Sequence, residues 1–436
     1  MSTSEAAINP NTPMPKPESS RLVSLDALRG FDMFWIIGAD SLVYALNRMT
    51  QSGPTQFLAN QLEHAEWAGF RFYDLIFPLF VFMVGISIVF SLGKAVNSGS
   101  RADALKRVLR RGVLLFLIGI FHSGGIMSPF PDIRLMGVLN RIALAYTFAG
   151  VIFCFFKPKA LATWCVSLLI GYWAMVSLIP IRDIQLEKGN LATLAEKAGN
   201  AEGATALRDT SNPSGVKDGL AWTTAKSLYA VTTNWTKGKF EPGLNPVNHF
   251  DFNYLPARKY DQFYDPEGIL STIPAVATCL LGVLAGFLLQ SGATSDMRKV
   301  WILAGWGAAA VALGWIWNIH FPVIKKIWTS SYVLVAAGYS ALLMALFYYI
   351  VDVIKLRAWC QPFIWMGMNS ITVYLTSNML GGFRKLALRL TGGDLRLFLE
   401  GSVAKGAGDL LVSVVGLLLA FAFVRFLYKR QIFLRL

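Results

Sequence analysis

The sequence predicts an all-α fold, a polytopic helical membrane protein of about ten transmembrane helices with one long exterior loop. Three observations carry that reading. Of 436 residues, 54% are hydrophobic and only 15% charged, giving a mean hydropathy of +0.48, too apolar for a water-soluble domain. Apolar runs recur that are long enough to cross ~30 Å of hydrocarbon. The basic residues behind the net charge of +14 gather in short connectors between those runs, which is a topology signal and not the footprint of a nucleic-acid partner.

Taken in order, residues 1–20, "MSTSEAAINPNTPMPKPESS", are rich in Pro, Ser and Asn and lack the charged-then-apolar order of a signal peptide. They read as a disordered cytoplasmic tail, leaving 21–436 as one transmembrane domain. Spans are expected at 27–46, 72–93, 108–124, 135–156, 160–180, 268–290, 299–318, 330–351, 361–380 and 407–428. Their even number places both termini on one side. Lys94 to Arg111, Lys157 with Lys159, Arg298 with Lys299, and Lys355 with Arg357 fall on that side together with Lys429 and Arg430, which makes it the cytoplasm. The opposite side receives residues 47–71 and the exterior loop 181–267. Two connectors there are also basic, Lys325 with Lys326 and the stretch "GGFRKLALRLTGGDLRLFLEG", which reads as a short interfacial helix.

Cys154, Cys165, Cys279 and Cys360 lie in or beside apolar segments without C-x-x-C spacing, so they read as packing residues, not as a disulfide framework or a zinc site. No H-E-x-x-H, G-x-S-x-G or P-loop pattern occurs.

Polar residues inside the spans are the informative exceptions, since an ionised group at the bilayer centre costs at least ~2.5 kcal/mol. At 100° per residue, Asp26, Arg29 and Asp40 fall within about 60° of one another over ~21 Å, while Asp32 points elsewhere. Asp26 can neutralise Arg29 one turn away; Asp40 has no evident local partner. Asp74, Asn140, Arg141 and Asn369 are further intramembrane polar groups. Interhelical hydrogen bonding accounts for many such residues, but Arg141 needs an anion, which Asp74, Asp40 or a ligand could supply. In "YDPEGILSTIP", Asp265 suits an N-cap, Pro266 the first helical position and Glu267 the positive end of the dipole; a carboxylate there would equally suit a substrate amine or hydroxyl. His64 stands between Glu63 and Glu66 just outside an apolar run. Spacing alone leaves it open as an interfacial histidine in an aromatic belt or as a proton acceptor.

Six motifs bear on that choice: "RLVSLDALRGFDMFWI", "HAEWAGFRFYDLIFPLFVFMVGIS", "GVLNRIALAY", "YDPEGILSTIPAVATCLLGVLAG", "KKIWTSSYVL" and "PFIWMGMNSITVYL". In this order, from Arg21 to Leu380, they resemble the heparan-alpha-glucosaminide N-acetyltransferase family and its bacterial relatives. The resemblance implies a transmembrane acetyltransferase that takes acetyl from cytosolic acetyl-CoA, a co-substrate with no metal, and passes it to the amine of a terminal glucosamine-type sugar on the periplasmic side. His64 matches the family's catalytic histidine. Asp40 falls where lysosomal members carry an active-site Asn, and together the two form the expected catalytic pair. Asp26, Arg29, Arg141 and the connector residues Arg110 and Arg111 are expected on the cofactor side; Asp74, Glu267 and Asn369 are expected near the acceptor. Two departures, Ile324 in place of an Asn before "KKIW" and the chain's own long exterior loop, leave the acceptor sugar open.

The expected partners are an amino-sugar or glycan acceptor, the lipid bilayer of a bacterial inner membrane and, as a homodimer, a second copy of the chain; no nucleic acid is expected. The competing reading is a proton-coupled transporter of a small sugar or anion using Asp40, Asp74 and Arg141, against which the lack of a visible internal repeat weighs.

Overall fold

The computed structural model describes residues 22–125, 127–209, 219–379 and 381–434, and each stretch expected to cross the membrane is helical within them. The tail expected at 1–20 lies outside the described residues. Helix α1 (Val23–Phe34) runs through a π-helical turn (Trp35–Ala39) into α2 (Asp40–Thr50), bent where Gly38 takes a φ of 115°. A short α3 (Gly53–Gln61) precedes the long α4 (Phe72–Asn97), followed by α5 (Arg101–His122), α6 (Val138–Phe155) and α7 (Pro158–Leu178).

Within the segment expected as a long exterior loop, residues 181–209 and 219–267 are folded. A two-residue ladder pairs β1 (Ile181–Arg182) with β2 (Trp235–Thr236), and around it lie α8 (Lys188–Lys197), α9 (Ala201–Arg208), α10 (Leu220–Val231) and α11 (Pro246–Tyr254). Leu191, Trp222, Phe252 and Phe263 give this unit a core of its own. The chain then re-enters the bundle with α12 (Thr272–Gln290), α13 (Asp296–Trp317) and α14 (Ser330–Phe347, with a π-helical extension to Val353). Next come α15 (Gln361–Met368) and α16 (Ser370–Met379), broken at Asn369, then α17 (Phe383–Ser402) and α18 (Ala407–Lys429). The stretch read as an interfacial helix is α17, interrupted at Gly392 with φ 72°.

Among the described residues, seven helices are long and apolar enough to cross a membrane: α4, α6, α7, α12, α13, α14 with its extension, and α18. The other three expected spans depart for local reasons. The first bends at Gly38, α5 opens with Arg101, Asp103, Lys106, Arg107, Arg110 and Arg111, and the α15–α16 pair breaks at Asn369. A helical polytopic membrane protein is thus what the chain folds into.

Hydrocarbon supplies no hydrophobic drive between helices, so close packing must hold them, and glycine permits it. A Cβ at Gly85 would stand 2.0 Å from the Cys279 carbonyl oxygen, and one at Gly282 2.0 Å from that of Phe82. These reciprocal contacts fix the crossing of α4 with α12. The same exchange joins α1 to α15, where a Cβ at Gly30 would stand 1.7 Å from Phe363 O and one at Gly367 1.9 Å from Asp26 O. Gly282→Ala should therefore lower the unfolding temperature of the purified protein, overpacking of this kind costing about 1–3 kcal/mol. Gly171→Ala, facing open space, should leave it unchanged; equal behaviour of the two variants would show that the crossing does not depend on glycine.

Candidate active site

The first turn of α4 organises one end of the bundle. Asp74, fully buried, turns Oδ2 back over the helix start, where it accepts the Arg71 and Ala65 backbone N–H groups at 3.1 Å each. Its other oxygen, Oδ1, lies 2.8 Å from His64 Nδ1. An ionised carboxylate only accepts, so this contact places the imidazole proton on Nδ1 and leaves the Nε2 lone pair available. The His64 side chain is 53% exposed, which keeps that nitrogen reachable.

Lys325 joins the pair from 261 residues away in sequence. The segment after His64 forms a bridge between Ala68 and Ile324, and Gly69, turning at φ 121°, donates its N–H to Val323 O at 2.8 Å. This backbone pairing brings Lys325 Nζ to 3.3 Å from Asp74 Oδ1 and to 3.0 and 3.5 Å from the two His64 ring nitrogens. With Nδ1 protonated, the ammonium donates to Asp74 and lies against the imidazole. Burial pulls the Lys325 pKa below the ordinary lysine value, with Asp74 opposing.

Beside this triad, Asp265 accepts Arg134 Nε at 2.8 Å and Arg134 Nη2 at 2.7 Å, and the same guanidinium pairs with Glu267. The expected helix cap at Asp265 is corrected here: α12 starts at Thr272 after Ser271, and residues 265–271 form turns around this ion pair. Burial, reinforced by Asp265 alongside, raises the Glu267 pKa against the pull of Arg141 and Arg134. Behind it, Asp251 accepts the Ile269 N–H at 3.1 Å and the Asp265 N–H at 3.4 Å, and burial pushes its pKa up to about 7.

Arg141, fully buried, donates to Pro266 O at 2.6 Å and to Ser271 Oγ, and lies over the Trp328 ring at 4.7 Å. Neither aspartate proposed for it serves: Asp74 holds His64, and Asp40 accepts its neighbour's N–H from Ser41 at 2.9 Å and lies within reach of Tyr73.

A cavity of about 600 Å³ connects these groups to the middle of the bundle. His64, Arg134, Glu267 and Lys325 line one end; Ile76, Phe77, Phe80 and Val84 form an apolar wall along α4; Arg29, Ser87 and Arg111 line the other end. Asp74 and Ser87 are thirteen residues apart on α4, ~20 Å along its axis. Arg29 pairs with Asp26 at 3.3 Å and donates to Ser87 Oγ at 2.7 Å, while Arg111 lies over the Tyr146 ring at 4.9 Å.

The structure therefore brings His64, Arg29, Arg111, Arg141 and Glu267 to one cavity. Asp26 and Asp74 stand just behind it, each bonded to a lining residue. Asn369, at the break before α16, donates to Trp365 O at 3.2 Å, and its neighbours Ser370 and Ile371 reach the cavity. Asp40 approaches only through Tyr73. Arg110 lies on another face of α5, exposed beside Lys106 and Leu109. Sequence reasoning missed Arg134 and the role of Lys325; the available signals were a lone arginine in "PDIRLMG" and the lysines of "KKIWTSSYVL".

Comparison with known proteins follows the same residues. The family model described as heparan-alpha-glucosaminide N-acetyltransferase, catalytic, matches residues 21–187, which contain Arg29, His64, Asp74, Arg111, Arg134 and Arg141. The mouse heparan-alpha-glucosaminide N-acetyltransferase is 28% identical over 346 residues, covering 74% of this chain and 50% of the relative. The human enzyme of that name is 29% identical over 334 residues, covering 72% and 48%. The chain spans about half the length of the curated relatives it matches.

The buried titratable groups near the site make a stability prediction. Asp251 titrates near 7 when folded against 3.8 in the open chain, so the folded state holds the extra proton between those values and this group's contribution to stability falls as pH rises from about 4 to about 7. His249, pulled down to about 4 by burial from 6.5, acts in the opposite sense between those two values. Asp251→Asn should remove only the first effect. The unfolding temperature of the variant relative to wild type should climb from about pH 4 to about pH 8; a difference independent of pH would show that Asp251 does not titrate in this window.

Proposed function

We propose that this chain, whose residues 21–187 match the catalytic model of heparan-alpha-glucosaminide N-acetyltransferase, moves acetyl from acetyl-CoA to the amine of a terminal glucosamine-type sugar, with His64 as general base in a direct transfer. The observation that carries this reading is the single cavity with arginines at one end and the His64–Asp74 pair at the other. Arg29 and Arg111 supply charged donors suited to phosphate oxygens, and the apolar wall along α4 suits a pantetheine arm. The thioester then meets the sugar beside His64.

In that arrangement His64 Nε2 accepts a proton as the amine nitrogen bonds to the acetyl carbon. Asp74 holds the productive tautomer and stabilises the imidazolium that results. Lys325 is placed to face the oxygen that becomes negative as the carbonyl turns tetrahedral. When the carbon–sulfur bond breaks, the sulfur leaves with the proton that His64 took, returning the imidazole to its starting state. Glu267, held by Arg134, offers its carboxyl group to the acceptor's hydroxyls. The donor end belongs to the cytosol and the His64 end, with residues 181–267, to the periplasm of a bacterial inner membrane. Topology of the basic connectors supports that orientation.

Purified protein given labelled acetyl-CoA and glucosamine should yield N-acetylglucosamine without a transmembrane gradient, and should release no coenzyme A until the amine is added. Absence of transfer to every amino sugar tried would overturn the reading; a burst of coenzyme A without amine would replace direct transfer by an acetyl-enzyme. Asp74→Asn should retain acetyl-CoA binding and lose on the order of 10² to 10⁴ in kcat. Lys325→Met should lose on the order of 10² to 10³ if the lysine faces the oxyanion. Arg29→Ala and Arg111→Ala should raise KM for acetyl-CoA more than they lower kcat, whereas Arg110→Ala should match wild type; the reverse pattern would move the phosphate site out of the cavity.

A further inference from the structure

Away from the cavity, one buried carboxylate gathers three guanidinium groups. Asp409, in the first turn of α18 with its side chain 3% exposed, accepts Arg384 Nη2 at 2.8 Å, has Arg396 Nε at 3.0 Å, and pairs with Arg48. The arginines come from α2 and from the two halves of α17 on either side of Gly392. Glu400, a second acid of the cluster, takes the backbone N–H groups of Gly406 at 2.7 Å and Asp409 at 3.3 Å, so it caps the start of α18. Asp40 lies within electrostatic reach of Arg384, so three acids face the three arginines, and the start of α18 adds positive potential beside them.

The arginines face outward. The Arg48, Arg384 and Arg396 side chains are 54%, 49% and 39% exposed while their common anchor is buried. Each guanidinium is fixed by Asp409 and has further N–H groups in a rigid fork suited to a tetrahedral oxyanion. Next to Arg396 in the chain, Leu397 and Phe398 are 66% and 65% exposed. A soluble anion would satisfy the arginines and leave these side chains bare. A phospholipid would meet both, with its phosphate on the guanidiniums and its acyl chains on Leu397 and Phe398.

We propose that Arg48, Arg384 and Arg396, organised by Asp409, bind the phosphate of an anionic phospholipid. The site is separate from the acetyl-transfer cavity and does not depend on that chemistry. The bound lipid ties α2 to α17 and α18 from outside, as Asp409 does from within.

The test titrates the purified full chain in detergent with phosphatidylglycerol or phosphatidylcholine and reads the unfolding temperature. Phosphatidylglycerol should raise it and phosphatidylcholine should not. Arg384→Gln with Arg396→Gln should shift the half-effect to about tenfold more phosphatidylglycerol or beyond, the loss expected for charge-assisted bonds. If that pair fails to fold, Arg48→Gln, at the most exposed of the three, should shift the same midpoint in the same direction. An unchanged midpoint in a folded variant overturns the proposal. A rise of equal size with glycerol phosphate or inorganic phosphate overturns it too, because the site would then recognise a soluble oxyanion without the acyl chains.

Discussion

The site depends on the two-sided use of Asp74. One oxygen closes the first turn of α4 through backbone N–H groups, and the other orients His64. A carboxylate at a helix start is a common stabilising device, and here its burial gives that device a chemical consequence. The helix start fixes the carboxylate, the carboxylate fixes the imidazole tautomer, and the tautomer fixes which nitrogen is basic. Lys325 adds a cation to the same oxygen.

The surrounding membrane constraint explains why the rest of the bundle is arranged as it is. Charges in hydrocarbon must be paired, bonded to backbone or exposed to a polar path. Arg29 is paired with Asp26 and reaches Ser87; Arg141 uses the Pro266 carbonyl and the face of Trp328; Arg134 is held by two carboxylates. All three arginines line the cavity. The glycine crossings hold α1 against α15 and α4 against α12, so the helices that present Arg29, Asp74 and Ser87 are located by backbone contact and not by compressible side chains.

The spans were legible because apolar runs of membrane length have few alternative explanations, and the pairing of Asp26 with Arg29 was legible because helical spacing alone puts them one turn apart. The family resemblance read from six ordered motifs is borne out by the catalytic-region match and by both curated relatives. Contacts between distant segments were not legible. Periodicity says nothing of a bridge between Ala68 and Ile324, so Lys325 read as a basic connector residue. Arg134 reaches Asp265 across 131 positions, assisted by the pairing of its strand-like segment with Arg258. With that arginine unseen, a helix cap was the economical local account of Asp265. The folded unit of residues 181–209 and 219–267 escaped for a related reason: its core joins residues such as Leu191, Trp222 and Phe263 that no single window contains.

These long-range contacts also give the cavity its polarity. Arg29 and Arg111 at one end come from helices whose positions are set within the bundle, whereas His64, Lys325, Arg134 and Glu267 at the other come from four connecting or helix-flanking segments. Segments between helices can change in length and sequence without disturbing the helix crossings. The Arg29 end is therefore tied to the architecture, and the His64 end is built from parts that can be altered independently. This division leaves the freedom to change in the contacts around Arg134 and Glu267, not in the helices that hold Arg29.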